Sequence, residues 1–428
     1  MKLDKILIGL GLIIYSILAY FLGVHSYKLL LVFLGISVLI FLITKLHFEP
    51  FLSILIVAII LSLFLGLSPS SIIDSVEKGT GSLLGHLSLI LGLGAMFGRI
   101  LEELGAVEIT AKKMISIFGI KRIQLGLLIA GMCISFSLFF DVAFILVIPI
   151  ILAVAKELDL DKIYLALPAS IGVLTIHALF PPHPSPSIIT KTFHLNMAEV
   201  FFYGLIVAIP TAIIGGLLLT NSRIVSTKPI VQTEQNNINV LKIEKQLMSS
   251  SFAIILMLLP VILITIPTIA LSIKNLPSSL KDILTIISNP VTALIISLLI
   301  AIWKLMIVKH LRISSIAPLL SQSIKTIAVV LLINGAAGGL KQVLVDSKVT
   351  DEIVQLTNGL HISPIVISFL VAAILRISLG SATIAAITTL AIVEPLVPTI
   401  SYSPVFIMLS ITAGRMFCSH VNDPGFWL

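Results

Sequence analysis

Apolar runs of membrane-crossing length recur along the whole chain. They fall at residues 6–24, 29–44, 51–67, 83–101, 123–155, 164–180, 200–220, 252–273, 283–308, 326–345, 363–393 and 404–416. A helix of about 20 apolar residues spans a bilayer. The pattern therefore predicts an all-α polytopic membrane protein. One polar stretch without an apolar period separates two groups of runs, so residues 221–247 are read as a cytoplasmic linker.

Two runs have the wrong length for what they must do. Residues 123–155 number 33 and residues 363–393 number 31. As single helices they would be roughly 50 Å long, against a hydrocarbon core of about 30 Å. Two full spans and a turn need about 40 residues. Each run thus fits a re-entrant hairpin that dips to mid-membrane and returns, with tips near Phe139 and Ser378. One long tilted helix in each place is the plain alternative. Non-helical backbone at that depth survives only where protein or water covers it, so both tips should line a cavity.

Composition supports the membrane class and excludes others. Hydrophobic residues make up 58% and charged residues 11%, with a mean hydropathy of +1.17. Soluble domains carry about 25% charged residues. A cytosolic enzyme, a nucleic-acid binder and a disordered chain are excluded. The net charge of +7 reads as basic loops held inside. Cys133 and Cys418 make no CxxC pair, so neither zinc nor redox chemistry is implied. No small-x-small cleavage site follows residues 6–24, so residues 1–24 are read as an extra, retained N-terminal span.

With the N-terminus inside and each hairpin counted as no crossing, seven lysines fall outside: Lys28, Lys78, Lys191, Lys274, Lys281, Lys341 and Lys348. Arg99, Arg376 and Arg415 fall within or beside membrane segments. The remaining 17 basic residues are cytoplasmic, which satisfies the positive-inside rule.

Two pairs of motifs point to a duplication. GAMFGRILEELGAVEI at 94–109 aligns with GGLKQVLVDSKVTDEI at 338–353, matching Glu102 to Asp346. Phe180 and His183 recur as Phe417 and His420. An odd number of spans separates equivalent points. The expected architecture is two inverted-topology repeats, each with a re-entrant helical hairpin and a broken helix, a design of secondary transporters. The first repeat is placed at 25–220, with its hairpin at 123–155 and its broken helix near 181–186. The second is placed at 248–428, with its hairpin at 363–393 and its broken helix near 418–424. By that symmetry a last span should follow Leu428.

GLGAMFGRILEELGAVEITAKKMI, FFDVAFILVIPI, LFPPHPSP, GGLKQVLVDS, GSATIAAITT and HVNDPGFWL together resemble the gluconate permease family of the ion-transporter superfamily. The resemblance implies a proton-coupled symporter for gluconate or a related sugar acid. The family also includes permeases for D-serine and other hexonates. Relatives often carry Glu where this chain has Asp141, and they continue past the Phe-Trp-Leu segment.

Several residues stand out as candidates. Asp141 is an ionisable group in an uncharged run, and burial raises a carboxyl pKa toward the range where it can carry a proton. A structural Asp bonded to the hairpin backbone is the alternative. His183 lies among Pro181, Pro182 and Pro184, which cannot continue a helix, and could bind a carboxylate, relay a proton or simply hold backbone. Ser185 follows it. Ser137 sits beside the first tip. Gly380, Ser381 and Thr383 offer a turn, two hydroxyls and a helix N-terminus for an anion, or only tight packing. His420 and Asn422 can both donate to and accept from sugar hydroxyls, and Asp423 is a second proton carrier or a cap. Arg376 either attracts the anion, pairs with an acid or snorkels. Glu102 and Glu103 read as surface partners of Arg99. Gly92, Gly94 and Gly98 read as a packing face, and Asn334-Gly335 with Gly338-Gly339 as either a break or a packing face.

No HExxH or Walker motif is present, and no ring of like residues suggests a channel. Secondary active transport leads. The expected partners are a sugar-acid anion and the lipid bilayer, with no nucleic acid; a homodimer is left open. No cofactor is expected, the proton being the coupling ion. A D-serine or other hydroxy- or amino-acid permease, or a sodium-coupled carboxylate transporter, is the alternative.

Overall fold

A computed structural model describes residues 27–222, 248–271, 273, 276–349, 351–352, 362–379 and 381–418. The expected first span, nearly all of the linker and the motif containing His420, Asn422 and Asp423 lie outside these residues, as does Gly380. Every regular element among the described residues is helical. They are α1 (Tyr27–Thr44), α2 (Pro50–Phe64), α3 (Pro69–Glu103), α4 (Ala106–Phe118), α5 (Ile123–Ser135), α6 (Phe140–Leu158), α7 (Lys162–Leu179), α8 (Pro184–Thr192) and α9 (Met197–Thr211). After these come α10 (Ser250–Leu271), α11 (Ser278–Ser288), α12 (Pro290–Lys309), α13 (Ile313–Asp346), α14 (Pro364–Leu379), α15 (Ala382–Val393) and α16 (Val405–Met416). A π-helical stretch, Ala212–Leu218, continues α9.

Among the described residues, seven helices are long and apolar enough to cross a membrane, with α7 and α8 counted together. An eighth appears if Ala106–Phe118 and Ile120–Ser135, bent by 105°, form one broken span. The chain is thus an all-α, multi-pass membrane protein.

Local chemistry sets many of the boundaries. Glu49 caps α2 by accepting from the Leu52 N–H, and Pro50 takes the first helical position. Asp161 and Asn196 cap α7 and α9 in the same way. Gly119 ends α4 at φ 68°, ψ 177°, a conformation open in practice only to glycine, and the bend follows it.

The structure departs from the hydropathy reading in four places. α3 begins at Pro69, well before the apolar run at 83, and its polar first half packs on α13 through Gly79 and Ser75. α4 was not among the apolar runs; Glu108, Lys112 and Lys113 interrupt its hydropathy, yet its other face buries Ile109, Met114 and Ile115. The run at 283–308 is split at Asn289, whose extended backbone precedes Pro290 and whose side chain caps Val291. α13 runs unbroken through Asn334-Gly335 and Gly338-Gly339, so these residues pack instead of breaking the helix.

The chain divides into two units, and the division falls inside α3 and α13. One unit holds residues 27–88, 191–194 and 328–418 of the described set. Here α3 and α13 cross almost backbone to backbone. A Cβ on Gly79 would lie 2.2 Å from the Gly338 carbonyl oxygen. Ser75 Oγ donates to Asp346 Oδ2 at 2.7 Å beside that crossing. α16 approaches α14 as closely: a Cβ on Gly414 would lie 2.4 Å from the Phe369 oxygen.

The other unit holds residues 89–190 and 195–327. Its core joins Phe97, Leu101, Ile134, Leu138, Val147 and Met257, among others. The α5 and α7 backbones touch at two glycines. A Cβ on Gly131 would sit 2.4 Å from the Ala169 oxygen, and one on Gly172 2.3 Å from the Leu128 oxygen. Gln124 Nε2 donates to the Tyr164 carbonyl near one end of this contact, and Ser135 Oγ to the Val173 carbonyl at the other. The two helices therefore run parallel, and their C-terminal ends arrive together.

Candidate functional site

The parallel packing of α5 and α7 brings two chain breaks to one place. α5 stops at Ser135 and α6 starts at Phe140, which leaves residues 136–139 as a joint. α7 stops at Leu179 because the prolines that follow cannot continue it, and α8 restarts at Pro184. His183 Nε2 lies 2.7 Å from the Ser135 carbonyl oxygen, so this nitrogen carries a proton and donates it. His183 Nδ1 lies 3.2 Å from His177 Nδ1, which is on α7 six residues earlier in the chain. His183 is 2% exposed.

Aromatic rings close the contact. Phe136 packs against Phe180, and Phe180 stacks on Phe201 of α9. Phe139 meets the His183 ring edge-on at 6.2 Å between centroids. Phe139 also lines a cavity of about 170 Å³ with Gly94, Gly98, Arg99, Glu102 and Ser323. Arg99 pairs there with Glu102 and Glu103 at 2.8 Å each, and Lys309 pairs with Glu103 at 2.8 Å. These groups are a quarter to a third exposed, in keeping with surface pairing. Gly98 faces Leu138 and Gly94 faces Phe139, which agrees with packing for those two; a Cβ on Gly92 would meet no atom within 4 Å.

The candidate residues divide by place. Ser137 is buried and its hydroxyl donates to the Met257 carbonyl, leaving only acceptor capacity for anything else. Asp141 takes the second position of α6. Ser185 and Ser187, in the first turn of α8, are 1% and 4% exposed, and neither hydroxyl has a hydrogen-bond partner among the described residues. A buried, unpartnered hydroxyl at a helix N-terminus is a place where a ligand oxygen would be welcome. In the other unit, Ser381 caps α15 by accepting from the Ile384 N–H, and Thr383 is partly exposed. Arg376 on α14 and Arg415 on α16 are 3% and 0% exposed and lie near enough to repel each other. Arg376 therefore does not snorkel.

The sequence reading missed His177. It stands in an apolar run that leads straight into the Pro-Pro-His break, and a second histidine entering the same break was the available signal. Arg415 was also left unassigned, because its burial depends on Gly414 letting α16 sit against α14.

Helices of membrane-crossing length and a broken helix meeting an interrupted one define a membrane transporter architecture. The fold agrees with that of the solved Alcanivorax borkumensis YdaH transporter, with a TM-score of 0.60 over 89% of this chain and 90% of that one, at 13% identity. The model of the GntP family permease matches residues 27–428, and the chain belongs to that family. It is 36% identical to the gluconate permease of Bacillus subtilis (strain 168), over 92% of this chain and 90% of that protein. It is 34% identical to the Gnt-II system L-idonate transporter of Escherichia coli (strain K12), over 92% and 89%. The chain is a permease and not an enzyme.

Proposed function

We propose that this permease carries gluconate or a closely related sugar acid inward with a proton, by alternating access, in the cytoplasmic membrane with its N-terminus inside. The observation that carries the reading is the meeting of the 136–139 joint with the α7–α8 break at His183. Broken backbone of this kind, buried among apolar helices, is where secondary transporters bind substrate. The names of the relatives support the substrate class: both gluconate and L-idonate are six-carbon sugar acids with one carboxylate and several hydroxyls.

The roles follow from the chemistry of each group. Ser185 offers a buried hydroxyl at the α8 N-terminus to the carboxylate or a neighbouring hydroxyl, and Ser137 offers its remaining lone pairs. Ser381 and Thr383, with Gly380, supply the matching polar tip in the second repeat. His420 and Asn422 serve sugar hydroxyls, while Asp141 and Asp423 carry protons. The positive charge of Arg376 and Arg415 favours an anion over a neutral sugar.

The test is uptake of labelled gluconate by the full chain in proteoliposomes, under an imposed pH gradient or an imposed sodium gradient, with L-idonate and D-serine as competitors. Accumulation driven by an acidic exterior and blocked by L-idonate is expected. Failure of gluconate to enter or compete would sink the substrate. Accumulation that follows sodium and ignores pH would sink the coupling ion.

A further inference from the structure

Arg99 stands one turn before the end of α3. Its Nη1 donates to Glu102 and its Nη2 to Glu103, at 2.8 Å each. Its Nε is buried and has no hydrogen-bond partner among the described residues. A guanidinium carries five N–H donors and no acceptor, so this one still has donors to give. Arg99 and Glu102 both line the cavity of about 170 Å³ that lies between α3, the first half of α13 and the 136–139 joint. Glu103 also accepts from Lys309, the last residue of α12. α3 and α12 therefore end on the same side, which is cytoplasmic in the orientation proposed above.

The lining mixes three kinds of chemistry. Phe139 forms an aromatic wall, and the same ring meets His183 edge-on, so the cavity adjoins the break already described. Gln322, Ser323 and Thr326 come from α13. The Ser323 and Thr326 hydroxyls donate to the Leu320 and Ser323 carbonyls at 2.7 Å each, and keep lone pairs with which to accept. Gln322 is exposed, and its amide can both donate and accept. A cation, acceptors for hydroxyl groups and an aromatic wall together fit a polyhydroxylated anion. The cavity is smaller than the roughly 300 Å³ at which small-molecule sites usually begin, so it takes one end of a six-carbon acid. Arg99 selects the carboxylate end.

We propose that this cavity binds the carboxylate end of the sugar acid on the cytoplasmic side, with Arg99 as its partner and Glu102 as the group it displaces. The inference rests on the sugar-acid reading above and adds a second contact point to it. Charge balances in the exchange: one carboxylate leaves Nη1 and another arrives, while Arg99 stays paired with Glu103. A partly exposed ion pair contributes little, so Glu102 gives way easily. The incoming carboxylate gains what Glu102 leaves unused, the buried Nε–H, and a two-point contact with a guanidinium is among the strong hydrogen-bond arrangements. Glu102 also lines a second cleft, of about 350 Å³, with Glu108, Lys112 and Pro149. The displaced side chain has that space to enter.

Binding of gluconate to the purified full chain is measured by calorimetry for the wild type, Arg99→Gln, Arg99→Lys and Glu102→Gln, with the melting temperature of each. Arg99→Gln is expected to raise Kd about tenfold or more, through loss of charge-assisted hydrogen bonds. Arg99→Lys is expected to raise it by about two- to fivefold, since it keeps the charge and loses the planar fork. Glu102→Gln is expected to lower Kd by about three- to tenfold, because the competing carboxylate is gone. Opposite shifts from the two members of one ion pair mark a ligand site. Loss of a purely structural pair moves Kd and melting temperature the same way from either side. An unchanged Kd in Arg99→Gln, or an unchanged or higher Kd in Glu102→Gln, overturns the proposal. If Arg99→Gln cannot be purified folded, Glu102→Gln decides alone by the same criterion. A wild type that binds no gluconate removes the sugar-acid reading, and this site falls with it. A wild type that binds gluconate while the variants stay unmoved removes only the site.

Discussion

Gly131→Ala tests whether the contact between α5 and α7 sets the site. The added methyl would lie 2.4 Å from the Ala169 carbonyl oxygen, a backbone atom that cannot rotate away. Restoring an ordinary contact requires the two helices to part by about 1 Å, at an overpacking cost of about 1–3 kcal/mol. That movement falls on the end of α5, where Ser135 Oγ reaches Val173 at 2.8 Å and the Ser135 carbonyl receives His183 Nε2 at 2.7 Å. Lengthened by about 1 Å, both leave hydrogen-bond range. A buried His183 N–H without an acceptor costs a further 1–3 kcal/mol or so. Misplacement of a binding group by about 1 Å costs up to about 100-fold in rate. The expected outcome is a lower melting temperature in detergent, together with uptake reduced by one to two orders of magnitude in proteoliposomes. Gly92→Ala is the internal control. Its methyl meets no atom within 4 Å, and replacing a mid-helix glycine by alanine favours the helix by up to about 1 kcal/mol. A Gly131→Ala protein that melts and transports like the wild type would refute the claim that close backbone packing holds the 136–139 joint against the helix break.

Other expectations follow from the same geometry. Gly79→Ala places a methyl 2.2 Å from the Gly338 oxygen and should destabilise the α3–α13 crossing by about 1–3 kcal/mol, seen as a lower melting temperature; no change would mean the crossing is looser than described. Ser185→Ala removes a buried hydroxyl that bonds nothing among the described residues, so the fold should be unharmed while KM for gluconate rises about five- to tenfold; an unchanged KM takes Ser185 out of the site. Glu103→Gln breaks partly exposed pairs with Arg99 and Lys309, and should cost well under about 1 kcal/mol and leave uptake intact; a large loss of either would assign the network a role in transport.

Much of the fold is legible along the chain. Apolar runs mark the spans because a lipid core admits little else, and the prolines at 181, 182 and 184 mark a break because they cannot donate or continue a helix. Hydropathy alone loses amphipathic pieces such as α4 and the first half of α3, whose charged faces dilute the average while the other face packs. It also runs through the joint at Asn289, where a cap and a proline act locally without any change in polarity.

By itself, the sequence determined the class of protein, the positions of most spans and the motif that breaks α7. Those are properties of single segments in lipid, fixed by transfer energy and by backbone chemistry. Tertiary structure alone decided which residues share a site. His177 and His183 are six residues apart, and they face each other where the helix is interrupted between them. Ser135 meets His183 across 48 residues because glycines on α5 and α7 let two backbones touch and deliver both helix ends to one point. No hydropathy average carries that information, since it resides in the absence of side chains at a few contacts.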